Sequence, residues 1–153
     1  MTFVDSSALV KLYADEEGHF AIRALSPVTI SQVARVEVPA AIWRKCRMGE
    51  LAPEEAQLLT AEFEADYFGS PNDPPRFSPV AISGELLDDA ARLAASHGLR
   101  AYDAVQLSSA LASQRADPEC VGFAAFDNVL RIAAATEGFT LIPAQSPETA
   151  RVR

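Results

Sequence analysis

Short apolar runs alternate along the sequence with longer stretches in which apolar residues recur at helical spacing, and this alternation constrains the fold more than any other feature. It predicts strands at residues 2–4, 28–30, 77–82, 120–126 and 140–142. It predicts helices at residues 6–13, 17–25, 32–48, 53–68, 85–96, 102–114 and 128–136. Because parallel strands need crossover connections, the pattern predicts an α/β fold in which helices cover both faces of a central, mainly parallel sheet of about five strands.

Two proline-containing stretches interrupt this rhythm. Pro39 lies inside a predicted helix, and we expect it to bend or restart that helix near Val38. Residues 69–79 contain four prolines and are predicted to form a surface loop that leads into a short strand. Neither flank of this loop looks self-sufficient, so we expect one domain over residues 1–145 and a C-terminal tail over residues 146–153.

Composition narrows the classes of function. The net charge of −8 argues against broad electrostatic binding of nucleic acid but leaves room for a local basic patch. Cys46 and Cys120 form no CxxC motif, and with only two histidines a zinc site is not expected. The N-terminus has no charged leader before an apolar run, and no apolar run is long enough to span a bilayer. We therefore expect a cytoplasmic protein that does not bind membranes.

Two aspartates stand where a predicted strand passes into a predicted helix. Asp5 follows the first strand, and Asp127 follows the fourth. Either could be a helix N-cap, a role that aspartate performs well. In an open parallel sheet, however, the carboxyl ends of the strands line the ligand crevice, so both acids could instead belong to a shared site.

Two further acids lie on helices among apolar neighbours. Glu37 is surrounded at helical spacing by valine and alanine, and burying a carboxylate is costly unless something satisfies it. A structural ion pair with Arg44 or Arg35 is the alternative explanation. Asp103 lies near the start of its helix, where the helix dipole favours an anion, and that field alone could explain it.

A divalent cation would explain all four acids together. Mg²⁺ and Mn²⁺ take oxygen ligands and keep several waters, so carboxylates gathered in one cleft suit them. Such an ion can orient water and neutralise the charge on a phosphodiester. The acids therefore predict a metal-dependent site, with Mg²⁺ as the expected ion and Mn²⁺ as a possible substitute.

Four segments resemble the PIN-domain ribonucleases, and specifically the VapC-type toxins of toxin–antitoxin pairs. They are "FVDSSALVKLY", "ARVEVPAAIWRKCRMGEL", "AARLAASHGLRAYDAVQLSSAL" and "AAFDNVLRIAAATEGFTLIP", and the match is distributed over residues 2–143. The resemblance implies a three-layer α/β/α PIN-like fold. It matches Asp5, Glu37, Asp103 and Asp127, in that order, to the four motif acids, and it implies that these acids are catalytic and bind the metal.

The family also implies metal-dependent endonucleolytic cleavage of RNA by an activated water, and neutralisation by a cognate antitoxin. Ser7 matches a small hydroxyl residue near the first acid. Many members carry Ser or Thr two residues before the fourth acid, where this chain has Ala125. This departure distinguishes Asp127 from the other three acids and leaves an alternative open, a PIN-like protein-binding or RNA-binding module with weak or no nuclease activity.

Partner contacts are predicted from charge and from surplus apolar residues. Arg44, Lys45, Arg47 and Arg100 could hold RNA phosphates, although a solvated helix face explains the first three equally well. The helices after Asp5 and around Trp43 carry more apolar residues than one core-facing stripe needs, which predicts a homodimer. An antitoxin arginine is expected to pair with the acids of the cleft.

Overall fold

The computed structural model of the protein describes residues 1–144, and this part of the chain contains five strands and seven α-helices. A single 3₁₀ turn, Val10–Leu12, continues the first helix. The elements in chain order are β1 Thr2–Val4, α1 Ser6–Leu9, α2 His19–Arg23, β2 Val28–Ser31, α3 Ala34–Arg47, α4 Pro53–Phe68, β3 Phe77–Val80, α5 Gly84–His97, α6 Ala101–Ala116, β4 Gly122–Ala124, α7 Asn128–Thr136 and β5 Thr140–Ile142.

The five strands form one sheet in the order β3-β2-β1-β4-β5, and every neighbouring pair is parallel. Phe3 in the central strand pairs with Thr29 on one side and with Phe123 on the other. From the central strand β1 the chain adds β2 and β3 on one side and then β4 and β5 on the other. The direction in which strands are added therefore reverses between β1 and β4. A crevice at the carboxyl ends of these two strands is where ligands bind in such sheets.

Alternating side chains of the sheet support a separate core on each face. Val4 packs with residues from α1 to α4, whereas Phe3 packs with residues from α5, α6 and α7. Phe3 also stacks on Phe123, with ring centroids 5.5 Å apart. Burial of apolar side chains on both faces of the sheet confirms the predicted three-layer α/β/α architecture.

Several element boundaries differ from the sequence prediction. The predicted restart at Pro39 is wrong, because α3 runs as one helix through that proline. A proline removes one helical hydrogen bond, and here the carbonyl that loses its partner belongs to exposed Arg35 near the helix start. The predicted third strand is shortened to Phe77–Val80, where Pro79 is tolerated because β3 lies at the edge of the sheet.

The apolar residues on which the homodimer prediction was based belong to the core. Three of them are buried, and the other three are partly buried and packed against the same cluster, so they leave no surplus apolar surface. The buried residues are Leu9, Val10 and Ile42, and the packed ones are Leu12, Tyr13 and Trp43.

The predicted C-terminal tail, residues 146–153, lies outside the described residues. Among residues 1–144, no helix combines the length and the apolar character needed to cross a bilayer.

Candidate active site

Asp5 lies directly after the central strand, at the start of α1. Its Oδ1 accepts a hydrogen bond from the backbone N–H of Ala8 at 2.8 Å, and its Oδ2 accepts one from Ser7 Oγ at 2.9 Å. Asp5 is therefore a helix N-cap, as the alternative interpretation proposed. It is only 3% exposed, and this burial raises its pKa to about 7, although the hydrogen bonds from Ala8 and Ser7 act in the opposite direction.

Glu37 projects from the first turn of α3 and contacts neither of the arginines proposed for it from the sequence. Its Oε1 accepts hydrogen bonds from Gln106 Nε2 at 2.8 Å and from Ser6 Oγ at 3.2 Å. The predicted ion pair with Arg44 or Arg35 is absent among residues 1–144, where Arg35 stacks over aromatic rings of α4. Burial raises the pKa of Glu37, and the two hydrogen bonds oppose that rise.

Arg100 joins the remaining two acids. Asp103 is in the first turn of α6, as expected from its position in the sequence, and its Oδ2 lies 3.0 Å from Arg100 Nε. Asp127 caps α7 by accepting a hydrogen bond from Leu130 N at 3.0 Å, and its Oδ2 lies 3.7 Å from Arg100 Nη2. The guanidinium of Arg100 thus lies between carboxylates from two different elements, and the contact with Asp103 raises its pKa.

Three of these acids lie close enough for their negative charges to affect one another. The negative charges of Asp103 and Glu37 both raise the pKa of Asp5, and the charge of Asp103 also raises that of Glu37. Asp127 is linked to these three acids only through Arg100. The structure thus places Asp5, Glu37 and Asp103 close to one another at the carboxyl edge of the sheet, with Asp127 beside them.

The chemistry of this cluster fits a hard divalent cation, but its side chains do not already form a cage. Carboxylate oxygen is the donor that Mg²⁺ and Mn²⁺ prefer, and repulsion between like charges is relieved when a cation binds. Within residues 1–144, no three His, Cys, Asp or Glu side chains are grouped closely enough to hold a metal ion. A cation would have to draw Asp5, Glu37 and Asp103 toward a common point.

A groove of about 650 Å³ begins at Ser7, beside Asp5, and follows α3. Arg44 and Arg47 line it, are exposed, and form no ion pair within residues 1–144. Lys45 also lines the groove, but its ammonium group contacts the carboxylates of Glu16 and Glu50. The groove therefore carries two uncompensated positive charges next to the acidic cluster.

Two residues that contact the cluster were not predicted from the sequence. Ser6 lies directly after Asp5, and Gln106 lies one helical turn after Asp103. Both are buried, and the Gln106 amide donates to Ser6 Oγ at 2.7 Å as well as to Glu37. The sequence did contain a signal for Gln106. It lies on the same side of its helix as Asp103, among apolar residues, and a buried amide there needs a hydrogen-bond partner.

Comparisons with known proteins agree with this geometry. The family profile for the PIN domain matches residues 2–135. Two relatives from Mycobacterium tuberculosis, Ribonuclease VapC45 of strain CDC 1551 / Oshkosh and Ribonuclease VapC49 of strain ATCC 25618 / H37Rv, are each 34% identical to the chain. Each alignment spans 149 residues and covers 95% of this chain and 96% of the relative.

Two crystal structures share the fold. FitAcB from Neisseria gonorrhoeae has a TM-score of 0.57 at 18% identity, covering 88% of this chain and 94% of that one. PAE2754 from Pyrobaculum aerophilum has a TM-score of 0.54 at 22% identity, covering 99% and 93%. At these identities the two structures support the fold alone.

The five-stranded parallel sheet, the acids beyond the carboxyl ends of its central strands and the family match together place the chain in the class of α/β nucleases of the PIN type. The chain belongs to the PIN-domain family and, within it, to the VapC ribonucleases.

Proposed function

We propose that this chain is a Mg²⁺-dependent endoribonuclease that acts as the toxin of a toxin–antitoxin pair, with Mn²⁺ able to replace Mg²⁺. The observation that carries this proposal is the cluster of Asp5 at the start of α1, Glu37 on α3 and Asp103 on α6, whose charges act on one another and whose segments are joined by the hydrogen bonds of Gln106. When bound, the cation neutralises charge on the phosphodiester and makes water a better nucleophile.

The residues of the chain have distinct parts in this proposal. Asp5, Glu37 and Asp103 hold the cation, and Asp127 contributes through a water molecule or a second site. Ser7 restrains one oxygen of Asp5 by donating a hydrogen bond to it. A carboxylate of the cluster accepts the proton released by the attacking water.

Cleavage of a mixed RNA substrate with and without divalent cation tests this function. We expect endonucleolytic products in Mg²⁺ or Mn²⁺ and none in EDTA. The Asp5→Asn variant, checked for folding by circular dichroism, should be inactive under both conditions. Cleavage by the wild-type chain in EDTA would contradict metal dependence.

A second candidate function is a PIN-like module that binds protein or RNA with weak or no nuclease activity. The contacts of Arg100 favour it, because a protein cation already lies between two of the four acids. Titration with Mn²⁺ separates the two candidates. A nuclease should bind the ion and lose it in Asp5→Asn or Asp103→Asn, whereas a binding module should show no such dependence.

We propose that RNA phosphates bind along the groove beside α3. Arg44 and Arg47 supply positive charge there in a chain whose net charge is −8. Replacing both with glutamine should raise KM and weaken the salt dependence of RNA binding, with kcat little changed. Arg92→Gln is the matched control, because Arg92 is exposed on α5, where it pairs with Asp89.

We propose that an antitoxin binds at the four acids, because their negative charge attracts a basic side chain. Four carboxylates invite a basic side chain, and an arginine can pair with them bidentately while it displaces metal or RNA. Titration of the neighbouring gene product against cleavage should give inhibition that competes with Mg²⁺ or substrate. Full activity with the neighbour in excess would contradict the proposal.

Homodimer formation and a cytoplasmic location stay predictions. Light scattering on the purified chain measures the oligomeric state, and a strictly monomeric chain would contradict the first. Cell fractionation measures the location, and recovery of the chain with membranes would contradict the second.

A further inference from the structure

Gln106 links three acid-bearing segments of the chain through one buried amide. The residue is 2% exposed and lies on α6, one turn after Asp103. Its Nε2 lies 2.8 Å from Glu37 Oε1 on α3 and 2.7 Å from Oγ of Ser6, the residue after Asp5. These contacts join positions that are 69 and 100 residues apart in sequence.

The two donors to Glu37 act on the same carboxylate oxygen. Gln106 Nε2 and Ser6 Oγ both donate to Oε1, whereas Oε2 has no hydrogen bond within residues 1–144. One oxygen is therefore restrained and the other is left for a ligand. Amide and hydroxyl donors are neutral, so they restrain the carboxylate and leave its negative charge available to a cation. An arginine or lysine in their place would neutralise that charge.

The carbonyl end of the Gln106 amide does not stabilise the core. Gln106 Oε1 is buried and has no hydrogen-bond partner among residues 1–144. A buried carbonyl without a partner is destabilising, and an apolar side chain of similar length would avoid that cost. A role for the amide donor at Glu37 explains why a glutamine occupies the position.

We propose that Gln106 is a positioning residue that holds Glu37 in the orientation required to bind the divalent cation. This inference rests on the proposed metal-dependent function and adds to it a residue that acts through Glu37 and does not itself contact the cation. Loss of a partner that orients a metal ligand lowers metal affinity by roughly 10- to 100-fold. We expect that loss in Gln106→Met, which keeps the length of the side chain and removes the donor.

A double-mutant cycle on Mn²⁺ affinity, measured by isothermal titration calorimetry, tests the inference without an activity assay. Gln106→Met should weaken binding in the wild-type background, but it should have little further effect once Glu37→Gln is present. Ser113→Ala is the matched control, since Ser113 is a buried polar residue on the same helix that bonds Cys120. Its Mn²⁺ affinity should equal that of the wild-type chain.

The possible outcomes separate failure of this inference from failure of the proposed metal-dependent function. Equal Mn²⁺ affinity in the wild-type chain and a folded Gln106→Met variant would overturn the inference alone, as would an equal loss in both backgrounds of the cycle. Absence of Mn²⁺ binding by the wild-type chain would overturn both. If Gln106→Met does not fold, Ser6→Ala removes the other donor to Glu37 and must show the same coupling to Glu37→Gln.

Discussion

The four acids of the cleft form two pairs that the protein treats differently. Asp5 and Glu37, here the inner pair, receive hydrogen bonds only from neutral donors, and burial raises the pKa of both. Asp103 and Asp127, the outer pair, share Arg100, and their side chains are 20% and 38% exposed. Within residues 1–144, the inner pair therefore has no positive side chain beside it, whereas the outer pair contacts the guanidinium of Arg100.

This difference separates two tasks within one site. A buried carboxylate without a counter-charge is costly to ionise, and a bound cation removes that cost. An exposed carboxylate beside an arginine gains little from its ion pair and can exchange partners. We therefore expect the inner pair to hold the cation together with Asp103, and the contacts of Arg100 with the outer pair to set how readily metal and RNA enter the site.

The largest effect is expected from neutralising the three acids proposed to hold the cation, which are the inner pair and Asp103. Asp5→Asn, Glu37→Gln and Asp103→Asn should each abolish RNA cleavage while the chain stays folded, a greater loss than the roughly 100-fold limit for a residue that acts through a metal ligand. Initial rates on a fluorescent RNA measure this. Asp117→Asn, at the far end of α6 from Asp103, is the control and should retain activity. Wild-type activity in any folded variant of the three would remove that acid from the catalytic cluster.

Without metal, the inner pair should make stability depend on pH. The pKa of Asp5 rises from 3.8 to about 7 on folding, so the unfolded chain loses this proton near pH 4 while the folded chain retains it. The contribution to the free energy of unfolding is therefore greatest below pH 4, falls between pH 4 and 7, and is lowest above pH 7, by about 4 kcal/mol at most. Urea unfolding in EDTA at several pH values measures it.

Asp5→Asn isolates this effect from all other titrations. Its stability relative to the wild-type chain should increase as the pH rises from 4 to 8, because the variant has no carboxylate to ionise at this position. A difference that does not change over this range would show that Asp5 is not destabilised by burial, and the distinction between the two pairs would fail.

The fold was predictable because its signals are local. Strand β1 and helix α7 were predicted with their observed bounds. Asp5, which caps α1, follows the last residue of β1, and Asp127, which caps α7, precedes its first residue. The bounds of α2 were wrong at both ends: the predicted helix covered residues 17–25, and the observed one is His19–Arg23. Helices of one or two turns take their limits from tertiary packing, which a local pattern does not contain.

The sequence alone selected the acids of the candidate site but not their hydrogen bonds. Asp5, Glu37, Asp103 and Asp127 stood out because each occupies a position that suits an apolar or small residue. The partners of Glu37 come from segments 31 and 69 residues away, and no local spacing predicts such contacts. For the same reason the sequence suggested Arg100 as an RNA contact but could not predict that it lies between Asp103 and Asp127.

A smaller effect is expected at the more exposed member of the outer pair. Asp127→Asn should reduce cleavage by roughly 10- to 100-fold, as for a residue that contacts the metal through water. Ala125 provides no hydroxyl two residues before it, although its carbonyl accepts a hydrogen bond from Arg131. A Mg²⁺ titration of cleavage rates measures the effect, and Ala125→Thr tests for a gain in metal affinity. A loss equal to that of Asp5→Asn at every Mg²⁺ concentration would contradict this order.

The smallest effect is expected for a change at Arg100. Whether this change strengthens or weakens Mn²⁺ binding is the sharpest test of the proposed difference between the two pairs. Arg100 must leave Asp103 and Asp127 before a cation can use them, so Arg100→Gln should tighten Mn²⁺ binding. Because the arginine side chain is 78% exposed, the gain should be no more than about 5-fold, the range of exposed ion pairs. Calorimetric titration at low and high salt measures it, and the gain should shrink at high salt because the ion pair is screened. Weaker Mn²⁺ binding in Arg100→Gln would show instead that the arginine organises the outer pair for the metal, and the two pairs would then differ in exposure but not in function.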